Sequence, residues 1–534
     1  MAKEVFLRQS SGLVRDVSPW PSMLANWALI TGGTPLLIIS WLWLAPGANW
    51  ALAYLITLIP TLGMAFLYYV AAASMPRAGA DYVFNSRAIH PAVGFANYWG
   101  LFIAFVLSQG FYSYLGASWL GYLFTGLGLY YHSSYLLSIG SFFSSKLGRI
   151  IWGLLVGTLI TSAIAFSTRF HWRFVLITGI ISVIANIIMF IALLEINPSV
   201  FSSVLSSFSG ISNATQSVIS CAESNGLKFY PVIYATLLAS PAVWYYYSWY
   251  NVPASWSGEM KKVRFNVFLS IVVAIILSAV YYILFTQLNL DSFGAKFLTS
   301  YSFLYYKKCC CGLNITNPLI CNLSSIGAFT PFFALLVLGN PILYIIMFIA
   351  IWLPNYYSGP PLVVGLSRYL FSWSFDRIMP SWMADVDERF NAPLKSIILI
   401  TILSAIGVIM YAYLPILSLV DVTVAFEISY AIFALSVALM PFLRRELFET
   451  AVIVKRRILG IPVISLIGFS TFSFLVYITY ITWGNPVLLP VNLPTILSLV
   501  FMYGSGFAIY YIAKLINLRK GVDVSLVFKE IPPE

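Results

Sequence analysis

The amino-acid sequence predicts an all-α polytopic membrane protein with twelve transmembrane helices. Of its 534 residues, 60% are hydrophobic and only 9% are charged, whereas a soluble domain carries about 25% charged residues. No Asp, Glu, Lys or Arg occurs between Asp16 and Arg77, and many other segments have the length and apolar character needed to cross a bilayer. These segments are too numerous for a signal peptide or an anchor, so we expect a multi-pass protein surrounded by lipid.

The distribution of charge predicts which loops lie inside. Loops assigned in alternation from a cytoplasmic N-terminus leave only six of the 29 Lys and Arg residues outside. This asymmetry follows the positive-inside rule and predicts a plasma-membrane protein with both termini in the cytoplasm. The net charge of +11 therefore belongs to inner loops and does not indicate a nucleic-acid partner. The six outer basic residues are Lys146, Arg149, Lys228, Lys296, Lys307 and Lys308.

All five cysteines and all three N-glycosylation sequons fall in loops that the same alternation places outside. Disulfides persist in oxidising surroundings, although the sequence does not determine which cysteines pair. The most local expected bond joins Cys321 to one of Cys309, Cys310 and Cys311. Each sequon is either glycosylated or an unmodified turn. The sequons start at Asn213, Asn314 and Asn322.

The first membrane segment contains a predicted break at Thr31, Gly32, Gly33 and Thr34, just before Pro35. Gly is entropically costly in a helix and Pro lacks the N–H group. Lipid cannot satisfy the freed backbone groups, so such a break faces protein or a wet cavity. The two broken ends offer backbone donors and acceptors to a solute carrying both an ammonium and a carboxylate, as at midplane transport sites. The alternative for a single break is a packing kink.

The first five predicted spans follow a short cytoplasmic N-terminal segment, residues 1–19. We expect them at about 20–45, 50–73, 92–124, 150–168 and 173–195. Together they form the segment 20–196, and an extracellular loop, 197–229, follows.

Span 6, at about 230–256, contains a second proline-bearing break at Ser240, Pro241, Ala242 and Val243. It lies five spans after the first break. Because five is odd, the second set of spans enters the membrane from the opposite side, which predicts an inverted repeat of spans 1–5 and 6–10. The second repeat covers 230–443, including the extracellular cysteine loop 291–328; spans 11 and 12 lie within 444–517, and 518–534 is a cytoplasmic tail.

The apolar stretch 329–371 is too long for one helix at about 1.5 Å per residue. Two spans here would raise the total to thirteen and would place the basic segment 368–395 outside, against the charge rule. We therefore expect a short outer re-entrant helix before Gly339-Asn340-Pro341 and then one long, irregular span.

Several motifs in the predicted inner segments resemble those of a known family. They are Ser11-Gly12-Leu13-Val14-Arg15, Met75-Pro76-Arg77-Ala78-Gly79-Ala80-Asp81-Tyr82, Gly258-Glu259-Met260-Lys261-Lys262, Asn391-Ala392-Pro393 and Phe528-Lys529-Glu530-Ile531-Pro532-Pro533-Glu534. In these motifs the chain resembles the permeases of the amino acid-polyamine-organocation (APC) superfamily, in particular the branch frequent in archaea. The resemblance covers nearly all of the chain.

This resemblance implies a LeuT-like fold, with a five-plus-five inverted repeat and two further C-terminal helices. It also implies uptake or exchange of amino acids or amines, with substrate contacts from the backbone of the two breaks, 31–34 and 240–243. The chain departs from the family pattern in carrying Gly32-Gly33-Thr34 where Gly-x-Gly is usual, and in carrying Pro241 in the second break.

Polar and aromatic side chains at mid-depth of spans 3, 6 and 8 are candidates to line a substrate pocket, and the alternative for each is a packing role. They are Gln109, Tyr112, Trp244, Tyr245 and Asn355. Arg77, Asp81, Glu259 and Lys261 are expected to form an inner gate or a structural charge network.

Ionisable groups inside a membrane are costly and usually functional. The predicted spans contain two carboxylates, Asp421 and Glu427. Glu427 is the deeper one and a candidate proton carrier, the alternative being a hydrogen bond to a neighbouring helix. Ser358 is a candidate sodium ligand. The coupling ion is therefore H⁺ or Na⁺, and no metal site or other cofactor is expected.

Other functional classes lack the residues they need. His90, His132 and His171 are all predicted in loops, so haem- or zinc-dependent membrane catalysis lacks ligands. A proton-pumping subunit needs a chain of buried ionisable groups. The remaining alternative is a permease-fold structural or accessory subunit, without transport turnover, in a larger membrane complex.

Overall fold

The computed structural model describes residues 12–307, 329–414, 422–484 and 493–532. Within these ranges, eleven helices are long and apolar enough to cross a membrane, which confirms the all-α polytopic class. Large apolar side chains such as Ile59 lie on the outside of the bundle, as expected where lipid is the solvent. The eleven helices are Pro19–Ser40, Trp50–Ser74, Pro91–Tyr130, Lys146–Ala165, Thr168–Leu194, Val263–Phe293, Pro341–Phe375, Leu394–Tyr413, Thr423–Leu443, Val463–Trp483 and Leu493–Arg519.

Shorter helices connect these elements, and a small antiparallel hairpin pairs Arg457–Ile458 with Ile461–Pro462. The connecting helices are Ala80–Ala88, Ser134–Ser144, Pro198–Ser209, Ala214–Ser224, Ala295–Lys307, Thr330–Leu338 and Arg445–Ala451, with 3-10 turns at Leu42–Leu44, Ser381–Ala384 and Val524–Lys529. Two of the long helices widen into π-helical turns, Gly153–Ile160 and Leu269–Val273. Such turns occur often at functional sites.

The first predicted break is confirmed. Helix Pro19–Thr31 ends at Gly32, and a second helix, Thr34–Ser40, starts after Gly33. Gly33 has φ +84°, a left-handed conformation that a residue without Cβ adopts at little cost. The Thr34 hydroxyl donates to the Ile30 carbonyl over 2.9 Å, which satisfies a backbone acceptor that the break leaves without an N–H partner. We call Gly32–Gly33 the first interruption.

The second break lies later in the chain than the sequence predicts. Residues 240–243 belong to helix Ser240–Tyr246, and N–H to carbonyl bonds of 3.0 Å continue across Ala239 from the preceding helix, Val232–Leu238. The backbone leaves the helix at residues 247–251, where Trp249 has φ +77°, and a 3-10 helix, Val252–Glu259, follows. We call 247–251 the second interruption.

A hydroxyl explains why Pro241 does not break the helix. Pro241 has no N–H to donate to the Leu237 carbonyl, but the Ser240 hydroxyl donates to that carbonyl over 2.5 Å. The predicted span 6 is therefore present as shorter helical pieces. The count of twelve crossings, the inverted repeat and the segment boundaries stay predictions.

The stretch after residue 328 has the predicted form. A short helix, Thr330–Leu338, ends at Gly339 with φ +62°, and the long element Pro341–Phe375 follows it. This element is split at Ser358 into Pro341–Tyr357 and Gly359–Phe375. The irregularity lies next to Pro360 and Pro361, where two successive residues lack N–H groups.

His171 is not in a loop. It lies in the first turn of helix Thr168–Leu194 and is fully buried, next to Trp172 with ring centroids 4.5 Å apart. The sequence prediction was wrong here because the basic residues around it suggested a solvated turn, whereas the helix begins at Thr168. His90 precedes helix Pro91–Tyr130, and His132 lies in the turn after it.

Of the residues predicted to carry covalent modifications, Asn213 lies within the described part of the chain. It is exposed, has φ +55° and precedes helix Ala214–Ser224. Cys221 on that helix is disulfide-bonded. The expected pairing of Cys321 with one of Cys309, Cys310 and Cys311 lies outside the described residues, as do Asn314, Asn322 and Asp421.

Candidate functional site

A cavity adjoins the first interruption, between helices from both halves of the chain. Its empty volume is about 550 Å³, including space open to solvent. Its lining includes Gly32, Gln109, Tyr112 and Asn355, all of which the sequence analysis names as candidate substrate-site residues. Its lining residues are Leu29, Gly32, Gln109, Tyr112, Ser113, Gly116, Trp152, Gly157, Thr161, Trp249, Trp352, Asn355, Tyr356, Ser358, Gly359 and Leu362.

The two glycines of the first interruption permit close packing at the cavity wall. A Cβ on Gly33 would lie 2.7 Å from Cε1 of Tyr112, and one on Gly32 would lie 2.9 Å from the Pro354 carbonyl oxygen. Both distances are shorter than a carbon atom tolerates. Only glycine therefore allows the broken backbone to approach Tyr112 and the helix that carries Asn355.

The Asn355 side chain lies between the first interruption and helix Pro91–Tyr130. Its Oδ1 is 3.5 Å from the position of a Cβ on Gly33, and its Nδ2 is 3.7 Å from that of a Cβ on Gly116. The side chain is half-buried, and no described residue forms a hydrogen bond with its amide. The amide is not enclosed by protein, so its donor and acceptor are available to a solute in the cavity.

The π-helical turn Gly153–Ile160 contributes Gly157 to another wall of the cavity. Gln109 Nε2 and Ser113 Oγ both donate to the Gly157 carbonyl, over 3.1 Å and 2.9 Å. A Cβ on Gly157 would lie 2.4 Å from Cβ of Ser113, so glycine is required for this approach. The Gln109 amide nitrogen is thereby fixed against the wall.

The second interruption reaches the cavity through Trp249, which the sequence analysis missed. Its ring stacks on Phe105 at 4.9 Å and meets Phe426 edge-on at 4.9 Å. The neighbouring Tyr245 hydroxyl is 3.1 Å from that of Tyr112. A left-handed tryptophan is a strained conformation that often marks a functional position. Only the nearby Asn251 and Pro253 hinted that the helix ends here.

The residues predicted from the second break lie elsewhere. Ser240, Pro241, Ala242, Val243 and Trp244 are buried within one helix and are not among the residues lining the cavity. The hydroxyls of Thr31 and Thr34 bond to backbone carbonyls within their own segment.

The two coupling candidates lie apart. Ser358 lines the cavity, and its hydroxyl donates to the Asn355 carbonyl over 2.8 Å. Glu427 is fully buried on helix Val422–Leu443, where the Thr482 hydroxyl donates to its Oε1 over 3.0 Å. Glu427 therefore contacts helix Val463–Gly484, away from the cavity lining.

Both terminal segments lie at the same end of the bundle, which we call the terminal end. Two buried ion pairs lie there. Arg87 donates to both carboxylate oxygens of Asp376 over 2.7 Å and 2.8 Å, and Arg368 donates to both oxygens of Glu259 over 2.6 Å and 2.8 Å. Two-point pairing of this kind fixes geometry as well as charge.

Asp81 is a buried carboxyl at the terminal end, on the short helix Ala80–Ala88. The Tyr369 hydroxyl donates to its Oδ2 over 2.7 Å, and the Tyr82 N–H donates to its Oδ1 over 3.0 Å. Burial disfavours the charged form and raises the pKa of Asp81 to about 7, although these hydrogen bonds act in the opposite direction.

The C-terminal segment packs against the terminal end. Arg77 Nε donates to the Pro532 carbonyl over 2.6 Å, and Arg87 Nε donates to the Glu530 carbonyl over 3.3 Å. The Arg87 guanidinium also lies 4.9 Å from the ring centroid of Phe528. We call residues 524–532 the tail clasp. Arg77 thus contacts the end of the described chain. Glu259 pairs with Arg368, and Lys261 pairs with Asp16.

A bundle of membrane-length helices with an interrupted helix beside a cavity is an architecture found in membrane transporters. The chain belongs to the amino acid permease family, whose model matches residues 22–505. This family is part of the APC superfamily, which confirms the resemblance noted in the sequence. The protein is thus a multi-pass membrane transporter of amino acids or related compounds. No curated protein matches the chain.

Proposed function

We propose that the protein is a secondary active transporter that carries amino acids or related amines across the plasma membrane by alternating access. The supporting observation is the unpartnered Asn355 amide, which lies beside the backbone of the first interruption in the cavity. The substrate binds there, against Gly32, Gly33, Tyr112 and Asn355. The second interruption contributes Trp249.

Alternating access requires an end that closes and opens. The terminal end has the elements of a closed gate: two buried ion pairs and the tail clasp. The positive-inside asymmetry of the sequence supports a cytoplasmic position for this end. In this proposal, inward release of substrate separates Arg87 from Asp376 or moves both together with their helices.

Coupling to H⁺ or to Na⁺ is part of the proposal, with one candidate residue for each ion. The buried Glu427 is a proton carrier in this scheme, and Ser358, which is at the cavity, is a sodium ligand. Glu427→Gln removes the titratable group and keeps an acceptor for Thr482. We expect this variant to lose stimulation of uptake by a proton gradient if H⁺ is the coupling ion, and Ser358→Ala to lose stimulation by sodium if Na⁺ is.

Uptake by proteoliposomes tests the function. Gly33→Ala places a Cβ against Tyr112 at a backbone φ of +84°, so we expect uptake of labelled amino acids to fall to background. Gly504→Ala is the matched control, because among the described residues no atom outside the local helix backbone lies within 4 Å of a Cβ there. This variant should retain uptake. If the unmodified protein moves no compound from a broad panel of amino acids and amines, the proposal is wrong and a non-transporting accessory subunit is favoured.

A further inference from the structure

We propose that the transported amino acid has an uncharged, apolar side chain, and that this side chain binds against Trp152, Trp352 and Tyr356. The inference rests on the proposed function, because it assigns a substrate class to the same cavity. Trp152, Trp352 and Tyr356 line the same cavity and were not selected from the sequence.

The cavity offers no counter-charge to a charged side chain. None of the described residues that line it is Asp, Glu, Lys, Arg or His; its polar groups are amides, hydroxyls and indole or backbone N–H and C=O groups. Moving a charge from water into such a site is unfavourable unless an opposite charge meets it. A third charge on a zwitterionic amino acid, or the several charges of a polyamine, would therefore stay unpaired.

Three aromatic rings form an apolar wall. The rings of Trp352 and Tyr356 are nearly parallel, with an interplanar angle of 8° and centroids 5.4 Å apart. Trp152 lies across from Trp352 at 6.3 Å, tilted by 54°. All three side chains are half-buried, so each retains apolar surface to cover. Burying that surface against an aliphatic or aromatic side chain is favourable in proportion to the area covered.

Aromatic faces also attract cations, which would favour a basic substrate. That attraction is smaller than the cost of dehydrating an ammonium group without a carboxylate partner. Sites that accept cations through aromatic rings alone need the rings to enclose the charge. The side-chain groups beside the rings, such as the Asn355 and Gln109 amides, are neutral and supply no carboxylate to pair with an ammonium. The cost of dehydration therefore outweighs the cation–π attraction, and the cavity favours a substrate with a neutral side chain.

A panel of labelled compounds tests the substrate class in proteoliposomes of the unmodified protein. Leucine, phenylalanine, lysine, glutamate and putrescine are supplied at equal concentration, with inward proton and sodium gradients. We expect leucine or phenylalanine to enter at least about tenfold faster than each of the three charged compounds. A smaller ratio overturns the substrate class. If none of the five enters, the proposed function is what fails.

An isosteric substitution tests the same inference by adding a charge. Asn355→Asp introduces a carboxylate into the cavity with almost no change in shape. We expect the ratio of lysine uptake to leucine uptake to rise about tenfold, because a cationic side chain now has a partner. An unchanged ratio in a folded variant contradicts the inference.

The control is the same substitution on the same helix. Asn340 is exposed and caps helix Pro341–Tyr357 through Oδ1, which accepts from the N–H groups of Ile342 and Leu343. Asp caps helices equally well. Asn340→Asp should therefore keep the uptake ratio of the unmodified protein. A rise in this variant as well would mean that the effect is not specific to the cavity. If Asn355→Asp does not fold, the five-compound panel decides alone.

Discussion

The hydroxyl of Ser240 occupies the place of a missing backbone donor. It lies one residue before Pro241 and bonds to the Leu237 carbonyl, the acceptor that a non-proline residue at 241 would use. A single side chain thus lets a proline stay inside a membrane helix. Sequence patterns show the proline but not the hydrogen bond, so the break was predicted at Ser240–Val243 instead of at Trp249.

A double-mutant cycle tests this compensation. Ser240→Ala leaves the Leu237 carbonyl unsatisfied, and we expect it to lower the free energy of unfolding by about 1 kcal/mol. In a Pro241→Ala background the restored N–H reaches the carbonyl, so the same substitution should cost less. Thermal unfolding in detergent measures the cycle. Equal losses in both backgrounds would show that the hydroxyl does not replace the donor.

A second residue-scale prediction concerns Asp81. Its pKa is raised from 3.8 to about 7 in the folded protein, so the folded state binds the proton more tightly than the unfolded state does. The stability that this proton confers is present below pH 4 and is lost as the pH rises to about 7.

Asp81→Asn removes this titration and keeps an acceptor for the Tyr369 hydroxyl. Between pH 5 and pH 8, the melting temperature of the unmodified protein should fall more than that of the variant. The difference over this pH range corresponds to at most about 3 kcal/mol. Parallel pH profiles for the two proteins would contradict the assignment.

At the scale of elements, the first interruption was predicted correctly because its glycines and proline weaken the helix without help from tertiary contacts. Gly32, Gly33 and Pro35 weaken a helix in any context, and the first interruption is where they predict it. The second interruption contains no glycine. Tertiary packing of Trp249 on Phe105 and Phe426 holds its backbone in a left-handed conformation, and no local pattern reports that packing.

The tail clasp makes an element-scale prediction. Phe528 is 5% exposed beneath the Arg87 guanidinium, whereas Leu526 on the same 3-10 turn is 44% exposed. Phe528→Ala should therefore loosen the terminal end and increase hydrogen–deuterium exchange of helix Ala80–Ala88. Leu526→Ala is the control and should leave exchange unchanged. Equal exchange in both variants and the unmodified protein would exclude a stabilising role for the clasp.

At the scale of the whole molecule, the terminal end joins segments that are distant in sequence. Arg87 lies in the first predicted repeat and Asp376 in the second. The sequence contains both residues but does not show that they pair, because pairing depends on how helices from the two halves meet. The family match over residues 22–505 supports the whole architecture, whereas the individual contacts come only from the structure.

The buried ion pairs should contribute far more to the free energy of unfolding than the exposed ion pairs do. Glu259→Gln leaves Arg368 buried without its counter-ion, since both side chains are 2% exposed, and should destabilise the protein by about 3–5 kcal/mol. Glu449→Gln breaks the pair with Arg457, in which each side chain is 45% exposed, and should cost about 1 kcal/mol or less. Comparable melting temperatures for the two variants would contradict this order.

The tryptophans in the cavity wall allow ligand binding to be followed by intrinsic fluorescence. Three of its 16 tryptophans, Trp152, Trp249 and Trp352, line the cavity. Indole emission shifts to shorter wavelength when water leaves its surroundings, so a solute that fills this space changes the intrinsic fluorescence without any attached dye. Titrating that emission gives an affinity for compounds that bind but are never carried across.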